Sequence, residues 1–405
     1  MGAEGSGGGL HLLKGNPPGD TGNARGKRIL MKIALIGLTY PFRGGISHYT
    51  TLLYRELQKD HQVEFISLKK QYPKFLFPGK TQLDESEERM TVENHPLIHP
   101  LLPWSWYSAF LRIKSFAPDL TLFQWWHPFF GPSFGTLALG LKIWGRTRIV
   151  FLCHNVRPHK ATMLDTALIW YAFRTPDYFI VHAESDRKIL MKLKPRAKTF
   201  KTPHPTYEIF GAGKQIDPLQ AKRELGIEGN LILFFGYVKR YKGLEYLLQA
   251  FPKVLREIPC TLLIVGEIYE DKPQFQQMIE QFHLADRIKL IDQYIPNEQV
   301  ALYFNAADVV VLPYTSATQS GIIQIAYGLN KPVISTRVGG IPEAVVDGQT
   351  GFLVEPENPD ALADAILKFY QKRDEIDFSR NIEQFRETFS WERLVKRIEK
   401  LQEES

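Results

Sequence analysis

From Met31 onward, short apolar runs alternate with longer segments in which apolar residues recur at helical spacing. In the first half of the chain, runs rich in β-branched and aromatic residues fall at residues 32–37, 62–68, 120–124, 148–153 and 178–182. These runs are apolar almost throughout, which is typical of strands buried on both faces of a parallel sheet. The pattern therefore predicts a doubly wound α/β domain.

The second half restarts the pattern, with runs at residues 231–236, 261–266, 288–291, 309–313 and 332–336. After the first of these runs, apolar residues from Leu244 to Ile258 follow the i, i+3, i+4, i+7 spacing of an amphipathic helix. Residues 201–219 concentrate Pro and Gly without a sustained period, which indicates a joint. We therefore predict two consecutive Rossmann-like domains and a ligand cleft between them, beyond the carboxyl ends of the strands.

Composition narrows the class of protein. The 405 residues are 44% hydrophobic, which excludes a wholly disordered or collagen-like chain. The two cysteines are too few for a disulfide framework or a cysteine metal cluster, and we expect a cytoplasmic protein. The first thirty residues hold nine glycines and are predicted to form a disordered tail, and residues 69–106 are interpreted as an excursion from the first domain. No apolar stretch is long enough to predict a membrane-spanning helix.

The net charge of +6 is the sum of a basic first half and an acidic second half. Residues 1–200 carry 27 basic and 15 acidic side chains, a net +12, whereas residues 201–405 carry 23 and 29, a net −6. The basic residues are scattered and no nucleic-acid recognition motif is present, so nucleic acid is not an expected partner.

Two loops of the first domain carry candidate chemistry at strand ends. Gly44 and Gly45 lie between the first strand and a helix, where backbone N–H groups can approach an anion; a simple tight turn is the alternative. His154 and Asn155 follow the strand that ends at Cys153, where their side chains can face a cleft, although structural histidines are common.

Two loops of the second domain offer anion-binding chemistry. Lys239, Arg240 and Lys242 come within four residues before a helix, which suits a phosphate or diphosphate, with a solvated basic loop as the alternative. Ser320 and Gly321 open another helix after a loop rich in Ser and Thr. Anion-binding loops on both domains predict an anionic ligand in the cleft.

The motif series of residues 231–366, from "LILFFGYVKRYKGLEYLLQAF" through "ADVVVLPY" to "KPVISTRVGGIPEAVVDGQTGFLVEPENPDALADAI", resembles the nucleotide-sugar-binding domain of glycosyltransferase family 4. The "GLTYPFRGGISHY" and "HNVRPH" loops are similar to that family's acceptor-side domain. The resemblance implies the GT-B fold, in which two Rossmann-like domains face each other across a cleft. It suggests an acceptor-side domain at residues 31–205, a linker at 206–219, a donor domain at 220–385 and a final helix at 386–405 that returns to the first domain.

The resemblance implies transfer of a sugar, usually a hexose and with retention of configuration, from a nucleoside diphosphate sugar. His154 and Lys242 match the family's catalytic positions. The other implied contacts are grouped by donor part: the diphosphate with Gly44, Gly45, Lys239, Arg240, Lys242, Thr318, Gln319, Ser320 and Gly321; the sugar or ribose with Asn155, Gln319 and Gln324; and the nucleobase with Tyr294 and Ile295.

Two features depart from the family pattern. Tyr237 stands where the family usually has an arginine, so Lys239 or Arg240 is expected to supply that charge. Ala317 and Ile325 occupy the places of two glutamates that typically hold donor hydroxyl groups. Gln319 and Gln324 are therefore candidates for neutral substitutes.

The motifs also bear on the need for a metal or cofactor and on the alternative functions. The chain has no Asp-x-Asp motif, so we expect neither an essential metal nor a cofactor besides the donor substrate. Because the two glutamates are missing, a non-catalytic, transferase-like binding or regulatory subunit is an alternative function. Because of the two-domain shape, a nucleotide-sugar epimerase is a third.

Aromatic stretches at residues 75–80, 103–107 and 124–130 in the basic half suit a membrane interface. They predict a peripheral enzyme at the inner face of the cell membrane. Its expected acceptor is a lipid-linked or envelope glycan, with an anionic membrane surface as a further candidate partner.

Overall fold

A computed structural model describes residues 30–73, 81–158, 161–211 and 216–404. The glycine-rich tail up to residue 29 and the aromatic stretch at residues 75–80 therefore lie outside the described residues. None of the helices within the described ranges combines the length and the apolar character needed to span a bilayer.

The first half forms a seven-stranded parallel sheet with strand order β3-β2-β1-β4-β5-β6-β7. Its strands are Lys32–Gly37 (β1), Gln62–Leu68 (β2), His95–Ile98 (β3), Leu120–Trp125 (β4), Arg148–Cys153 (β5), Tyr178–Val181 (β6) and Lys198–Lys201 (β7). Its helices are Gly45–Leu57 (α1), Pro103–Phe116 (α2), Gly131–Trp144 (α3), Met163–Phe173 (α4) and Glu184–Leu193 (α5). The central strand β4 is buried along its whole length because helices cover both faces of the sheet.

The second half forms a six-stranded parallel sheet with order β10-β9-β8-β11-β12-β13. Its strands are Asn230–Phe235 (β8), Cys260–Val265 (β9), Ile288–Ile291 (β10), Val309–Leu312 (β11), Val333–Thr336 (β12) and Gly351–Val354 (β13). The helices are Pro218–Glu224 (α6), Leu244–Glu257 (α7), Lys272–Gln281 (α8), Asn297–Ala306 (α9), Gly321–Gly328 (α10), Ile341–Ala344 (α11), Pro359–Lys372 (α12), Phe378–Arg386 (α13) and Trp391–Glu403 (α14). The predicted fold class of two doubly wound α/β domains is confirmed.

Strand order reverses beside β1 in the first sheet and beside β8 in the second. Ligands of open α/β sheets bind at such switch points, beyond the carboxyl ends of the strands. The Gly44–Gly45 turn follows β1, and the loop that carries Lys242 follows β8. The fold thus brings two of the predicted anion-binding loops to the switch points of their sheets.

The last helix, α14, packs against α1 of the first domain. The Trp391 and Tyr49 rings lie 5.0 Å apart between centroids, and the Arg148 guanidinium donates a hydrogen bond of 2.8 Å to the Glu404 carbonyl. Leu394 and Ile398 are fully buried in the same core. The domain boundaries at residues 205, 219 and 385 stay predictions.

Candidate functional site

A cavity of about 290 Å³ lies between the two sheets. The first domain contributes Gly44, Gly45 and His48 to its wall, and most of the remaining lining comes from loops after β8, β9 and β10 and from helix α10. Of the predicted donor-binding residues, seven line it: Gly44, Gly45, Lys239, Lys242, Tyr294, Ile295 and Gly321.

Lys242 reaches the cavity from a short 3₁₀ helix, Arg240–Lys242, after β8. The next residue, Gly243, has φ 66°, and a Cβ there would lie 1.9 Å from the Pro313 carbonyl oxygen, so only glycine allows this approach of the loop to β11. The Lys242 ammonium lies 3.8 Å from the centroid of the Tyr314 ring. Burial lowers the pKa of Lys242, because the charged form loses hydration.

Lys239 lines the same cavity, with its ammonium 5.4 Å from the Tyr269 ring centroid. Burial is the main cause that lowers the pKa of Lys239, and the neighbouring Lys242 lowers it further, whereas Glu270 opposes the shift. No salt bridge joins either lysine to a carboxylate within the ranges that the structure describes. Two partly or fully desolvated cations without a salt bridge favour an anionic ligand between them.

Helix α10 points its amino end at this cavity. Ser320 precedes the helix, makes no side-chain cap to its backbone, and its hydroxyl lies 3.2 Å from the Tyr314 hydroxyl. Gly321, the first helical residue, lines the cavity. The free N–H groups of the first turn and the helix dipole therefore add positive potential on the wall that Lys242 also lines.

Arg43 and Glu267 form a buried ion pair between the domains. A guanidinium nitrogen of Arg43 lies 2.5 Å from a carboxylate oxygen of Glu267, and the two side chains are only 3% and 4% exposed. Arg43 follows β1 and Glu267 follows β9, so the pair joins loops of the two domains. The guanidinium also lies over the Tyr294 and Tyr237 rings, 4.7 and 5.6 Å from their centroids. Tyr237, found where the family pattern has arginine, thus stacks near an arginine from the other domain.

We expect Glu267→Gln to lower the free energy of unfolding by about 2 kcal/mol, because the buried Arg43 guanidinium loses the charge opposite it. Urea denaturation measures this loss. Asp271→Asn is the matched control, since Asp271 pairs with Arg240, whose side chain is 69% exposed. The control is expected to leave the urea midpoint nearly unchanged. Equal midpoints for both variants would contradict the prediction.

His48 was not singled out in the sequence, although it lies one helical turn after Gly44 on α1. Its imidazole lines the cavity, is 8% exposed, and meets the Phe210 ring edge-on at 5.5 Å. Among the described residues its buried Nε2 has no hydrogen-bond partner. Burial lowers the pKa of His48 to about 4, with Asp84 opposing the shift. A neutral imidazole with an open nitrogen can therefore bind a ligand hydroxyl or phosphate.

His154 lies behind the cavity rather than on its wall. Its Nε2 donates a 2.7 Å hydrogen bond to the Gln124 side-chain oxygen, and its ring meets Tyr49 at 4.4 Å. His182 and His204 complete this cluster, with rings 5.3 Å apart. Burial lowers the pKa values of all three histidines, to about 3 for His182 and about 4 for His204, so they are neutral at pH 7. The predicted contact of His154 with the sugar stays a prediction.

Gln319 joins the two domains beside this cluster. Its side-chain nitrogen donates a 3.0 Å hydrogen bond to the backbone carbonyl of His154, and its buried Oε1 has no hydrogen-bond partner among the described residues. The Thr318 carbonyl accepts a 3.0 Å bond from the Gly340 N–H. Asn155 is half-buried, and its side-chain oxygen also has no partner in the described ranges. Gln319 and Asn155 thus each keep an open amide oxygen near the cleft.

Two predicted site residues, Arg240 and Gln324, do not line this cavity. Arg240 turns away from the cavity, and its guanidinium makes two 3.1 Å hydrogen bonds to the Asp271 carboxylate at the surface. Gln324 is 2% exposed, its backbone carbonyl accepts a hydrogen bond from the Tyr207 N–H, and its buried side-chain Oε1 has no hydrogen-bond partner among the described residues. Gly321, Ile322 and Ile325 line the cavity and Gln324 does not, so the contacts predicted for Arg240 and Gln324 stay predictions.

The two positions without the family's glutamates differ in their surroundings. Ile325 lines the cavity beside Ile295 and Val300 and makes that part of the wall apolar. Ala317 is buried, and its carbonyl lies where a side chain at Gly339 would be. Among the described residues, no three His, Cys, Asp or Glu side chains are grouped so that they could hold a metal ion.

Comparison with known proteins gives a family match for the second domain. Residues 229–372 match the family model described as glycosyl transferases group 1. The D-inositol 3-phosphate glycosyltransferase of Corynebacterium urealyticum is 31% identical over 212 residues, which cover 49% of each protein. The N-acetyl-alpha-D-glucosaminyl L-malate synthase of Bacillus anthracis is 28% identical over 45% of this chain and 48% of that protein. The chain thus spans about half the length of the curated relatives that it matches.

Solved structures extend the likeness to the whole fold. Sucrose-phosphate synthase from Thermosynechococcus elongatus superposes with a TM-score of 0.71 at 19% identity, over 92% of this chain and 98% of that one. Anabaena HepE in complex with UDP-glucose gives 0.70 at 17% identity, over 92% and 99%. These likenesses show the fold, with two facing Rossmann-like domains of the GT-B type.

Proposed function

Since residues 229–372 form a domain of the glycosyl transferases group 1 family, we propose that the protein transfers a sugar from a nucleoside diphosphate sugar to an acceptor. The observation that carries the proposal is the pair of cavity lysines, Lys239 and Lys242, which form no salt bridge within the described residues and line the same cavity as the first residue of α10. A diphosphate supplies the charge that this arrangement lacks.

The donor diphosphate is the leaving group of such a reaction, and negative charge grows on it as the bond to the sugar breaks. We propose that Lys242, Lys239 and the first N–H groups of α10, which border the same cavity, stabilise that charge as it develops. Because the lysines are desolvated, their attraction for the departing diphosphate is stronger than it would be in water.

The nucleobase is proposed to contact Tyr294 and Ile295, at the end of the cavity where Arg43 stacks on Tyr294. His154, Gln319 and Asn155 are proposed to lie on the sugar side. The resemblance to family 4 supports retention of configuration, and the lysine pair supports transfer without an essential metal. HepE binds UDP and UDP-glucose, so UDP conjugates are the first donors to test.

The acceptor is proposed to be a lipid-linked or envelope glycan. Exposed Trp and Tyr side chains on the basic first domain support this proposal, because such residues suit an interface between water and lipid. A cytoplasmic protein that binds the inner face of the membrane would meet such an acceptor there.

A thermal-shift screen against UDP, GDP, ADP and their sugar conjugates tests the proposal. At about one hundred times its dissociation constant, the cognate nucleotide stabilises the folded state by about 2.7 kcal/mol. For domains of this size we expect a rise in melting temperature of about 5–10 °C. The best donor is then incubated with candidate glycan acceptors, and transfer is expected to persist in EDTA. Absence of a shift with every nucleotide at millimolar concentration would contradict the proposal.

A second candidate is a transferase-like subunit that binds the donor without turning it over. The observation that favours it is Ile325, which gives the cavity an apolar wall where the family has a glutamate. This candidate predicts the same thermal shift but neither transfer to an acceptor nor hydrolysis of the donor. Measurable turnover in the purified protein would eliminate it.

A further inference from the structure

The first domain carries most of the exposed apolar side chains. Twelve large hydrophobic residues are exposed within the described ranges, and nine of them lie on or directly before helices α2, α3 and α4. The nine are Leu101, Trp104, Tyr107, Leu111, Ile143, Trp144, Met163, Leu164 and Trp170. We call this surface the aromatic face.

The aromatic face is continuous because its three helices lie side by side, with α3 between α2 and α4. Phe110 of α2 meets Trp144 of α3 at 6.1 Å between ring centroids. On the other side of α3, the hydroxyls of Thr136 and Tyr171 lie 2.9 Å apart. The exposed residues of α2 recur at positions 104, 107 and 111, which is the spacing of one helix face on the solvent side of this layer.

The aromatic face carries three tryptophans whose side chains are largely exposed to solvent. Trp104, Trp144 and Trp170 are 68%, 64% and 68% exposed, whereas the other four tryptophans of the chain are buried or half-buried. Isolated exposed apolar residues are normal, but a contiguous group of this size marks an interaction site. Trp and Tyr with large exposed areas are typical of the boundary between lipid and water.

The charge around the aromatic face complements an anionic partner. Residues 95–174, which include the three helices, contain eight Lys or Arg residues and two acidic residues, Asp119 and Asp165. Lys114 of α2 and Arg146 after α3 are exposed, and no salt bridge to a carboxylate is found for either within the described part of the chain. Arg174 after α4 is also exposed and stacks on Tyr171. Cations therefore lie at the ends of all three helices.

We propose that the aromatic face docks on an anionic lipid bilayer. The three exposed tryptophans would lie at the level of the headgroups, and Lys114, Arg146 and Arg174 would face lipid phosphates. Helices α3 and α4 begin at the carboxyl edge of the first sheet, the edge that also borders the cavity. The exposed Met163 and Leu164 lie at this end of the face and the three cations lie at the opposite ends of the helices, so docking of the whole face would leave the cleft beside the membrane. This inference rests on the proposed function only where it explains why docking is useful, namely that docking gives access to a lipid-linked acceptor. Docking itself needs no donor.

Flotation with vesicles tests docking directly. We expect the full-length protein to bind vesicles of phosphatidylcholine with one quarter phosphatidylglycerol at low salt, and to bind pure phosphatidylcholine at least about tenfold more weakly. High salt is expected to weaken the binding by a similar factor, because it screens the cations. Tryptophan emission should be quenched by brominated lipid, since three tryptophans reach the headgroups.

Two variants locate the binding surface. The double variant Lys114→Glu, Arg146→Glu is expected to weaken binding about tenfold or more, and Trp104→Ser combined with Trp144→Ser and Trp170→Ser should abolish it. Arg256→Glu with Arg380→Glu is the matched charge control, because both residues are exposed on the second domain. Leu219→Ser, at a 67% exposed position, is the matched apolar control.

Three outcomes would overturn the proposal: no flotation of the wild-type protein with anionic vesicles, equal losses in the controls and the face variants, or a dimer that the tryptophan variant dissociates without any vesicle binding. The last outcome would make the aromatic face an interface between copies of the chain. Circular dichroism and the melting temperature of the same variants show that they are folded, and a nucleotide-dependent thermal shift is measured beside them. It also separates a failure of docking from a failure of the proposed transfer function.

Discussion

Replacing Lys242 by alanine is expected to lower kcat/KM for sugar transfer by about 10²- to 10³-fold while the protein stays folded. The Lys242 ammonium is desolvated, has no carboxylate partner in the described residues, and lines the cavity beside the amino end of α10. Its loss removes stabilisation of the charge that develops on the departing diphosphate. The rate is measured with the donor that the thermal-shift screen identifies, and folding is followed by circular dichroism and the melting temperature.

The neighbouring Arg240 supplies the control for this prediction. Arg240→Ala removes a cation two residues away, but that guanidinium is exposed and paired with Asp271. Its kcat/KM is therefore expected to match the wild-type value. If the Lys242 variant kept the wild-type rate, or if both variants lost the same activity, the assigned role of Lys242 would be wrong. Equal losses would point to the general positive potential of the loop.

Acid is expected to destabilise the first domain steeply between pH 6.5 and about 4. Burial depresses the pKa values of four histidines below the ordinary 6.5, namely His48, His154, His182 and His204. Between the folded and unfolded pKa values, these four side chains therefore bind up to four more protons in the unfolded chain than in the folded protein. Their contribution to stability is complete above pH 6.5 and is lost as the pH falls towards their folded pKa values. Asp186 acts in the opposite sense, because burial raises its pKa from 3.8 to about 7 and the folded state keeps its proton.

Near pH 5 the net difference is largest, at four protons minus one, or three, which corresponds to about 4 kcal/mol lost per pH unit there. The free energy of unfolding in urea, measured at several pH values, gives this slope. His204→Gln should remove about one proton from it, whereas His283→Asn, at an exposed position, should leave it unchanged. A free energy that stays level between pH 7 and pH 5 would contradict the expected burial of the histidine cluster.

The interior strands were predictable and most of the edge strands were not. Apolar runs such as residues 120–124 and 148–153 mark strands that have neighbours on both sides and helices on both faces. The strands β3, β7 and β13, which no run predicted, lie at edges of their sheets. They have only four residues each, and β7 carries a lysine at either end. A short edge strand needs little apolar sequence, because one side of it has no partner strand.

The candidate site was predictable where backbone position decides it. Gly44, Gly45 and Lys242 follow strands at switch points, so their place near the cleft follows from strand order. Arg43 and Glu267 were missed because their pairing depends on how the domains face each other across 224 residues of sequence. The sequence did not show that Ile325 lines the cavity and Gln324 does not, because this depends on the rotation of helix α10. It also did not show that Lys242 lines the cavity while Arg240 pairs with Asp271, because this depends on the direction of one short turn.

The return of α14 to α1 has a consequence for biosynthesis. A ribosome makes residues 391–403 only after the whole second sheet has been made, so the side of α1 that packs on α14, where Tyr49 meets Trp391, stays uncovered during that time. Nascent chains of the first domain are therefore exposed to aggregation until translation passes α14. A premature stop before Trp391 would destabilise the first domain, although that domain is synthesised first. Chaperones would then bind the truncated chain at the apolar surface of α1 that α14 normally covers.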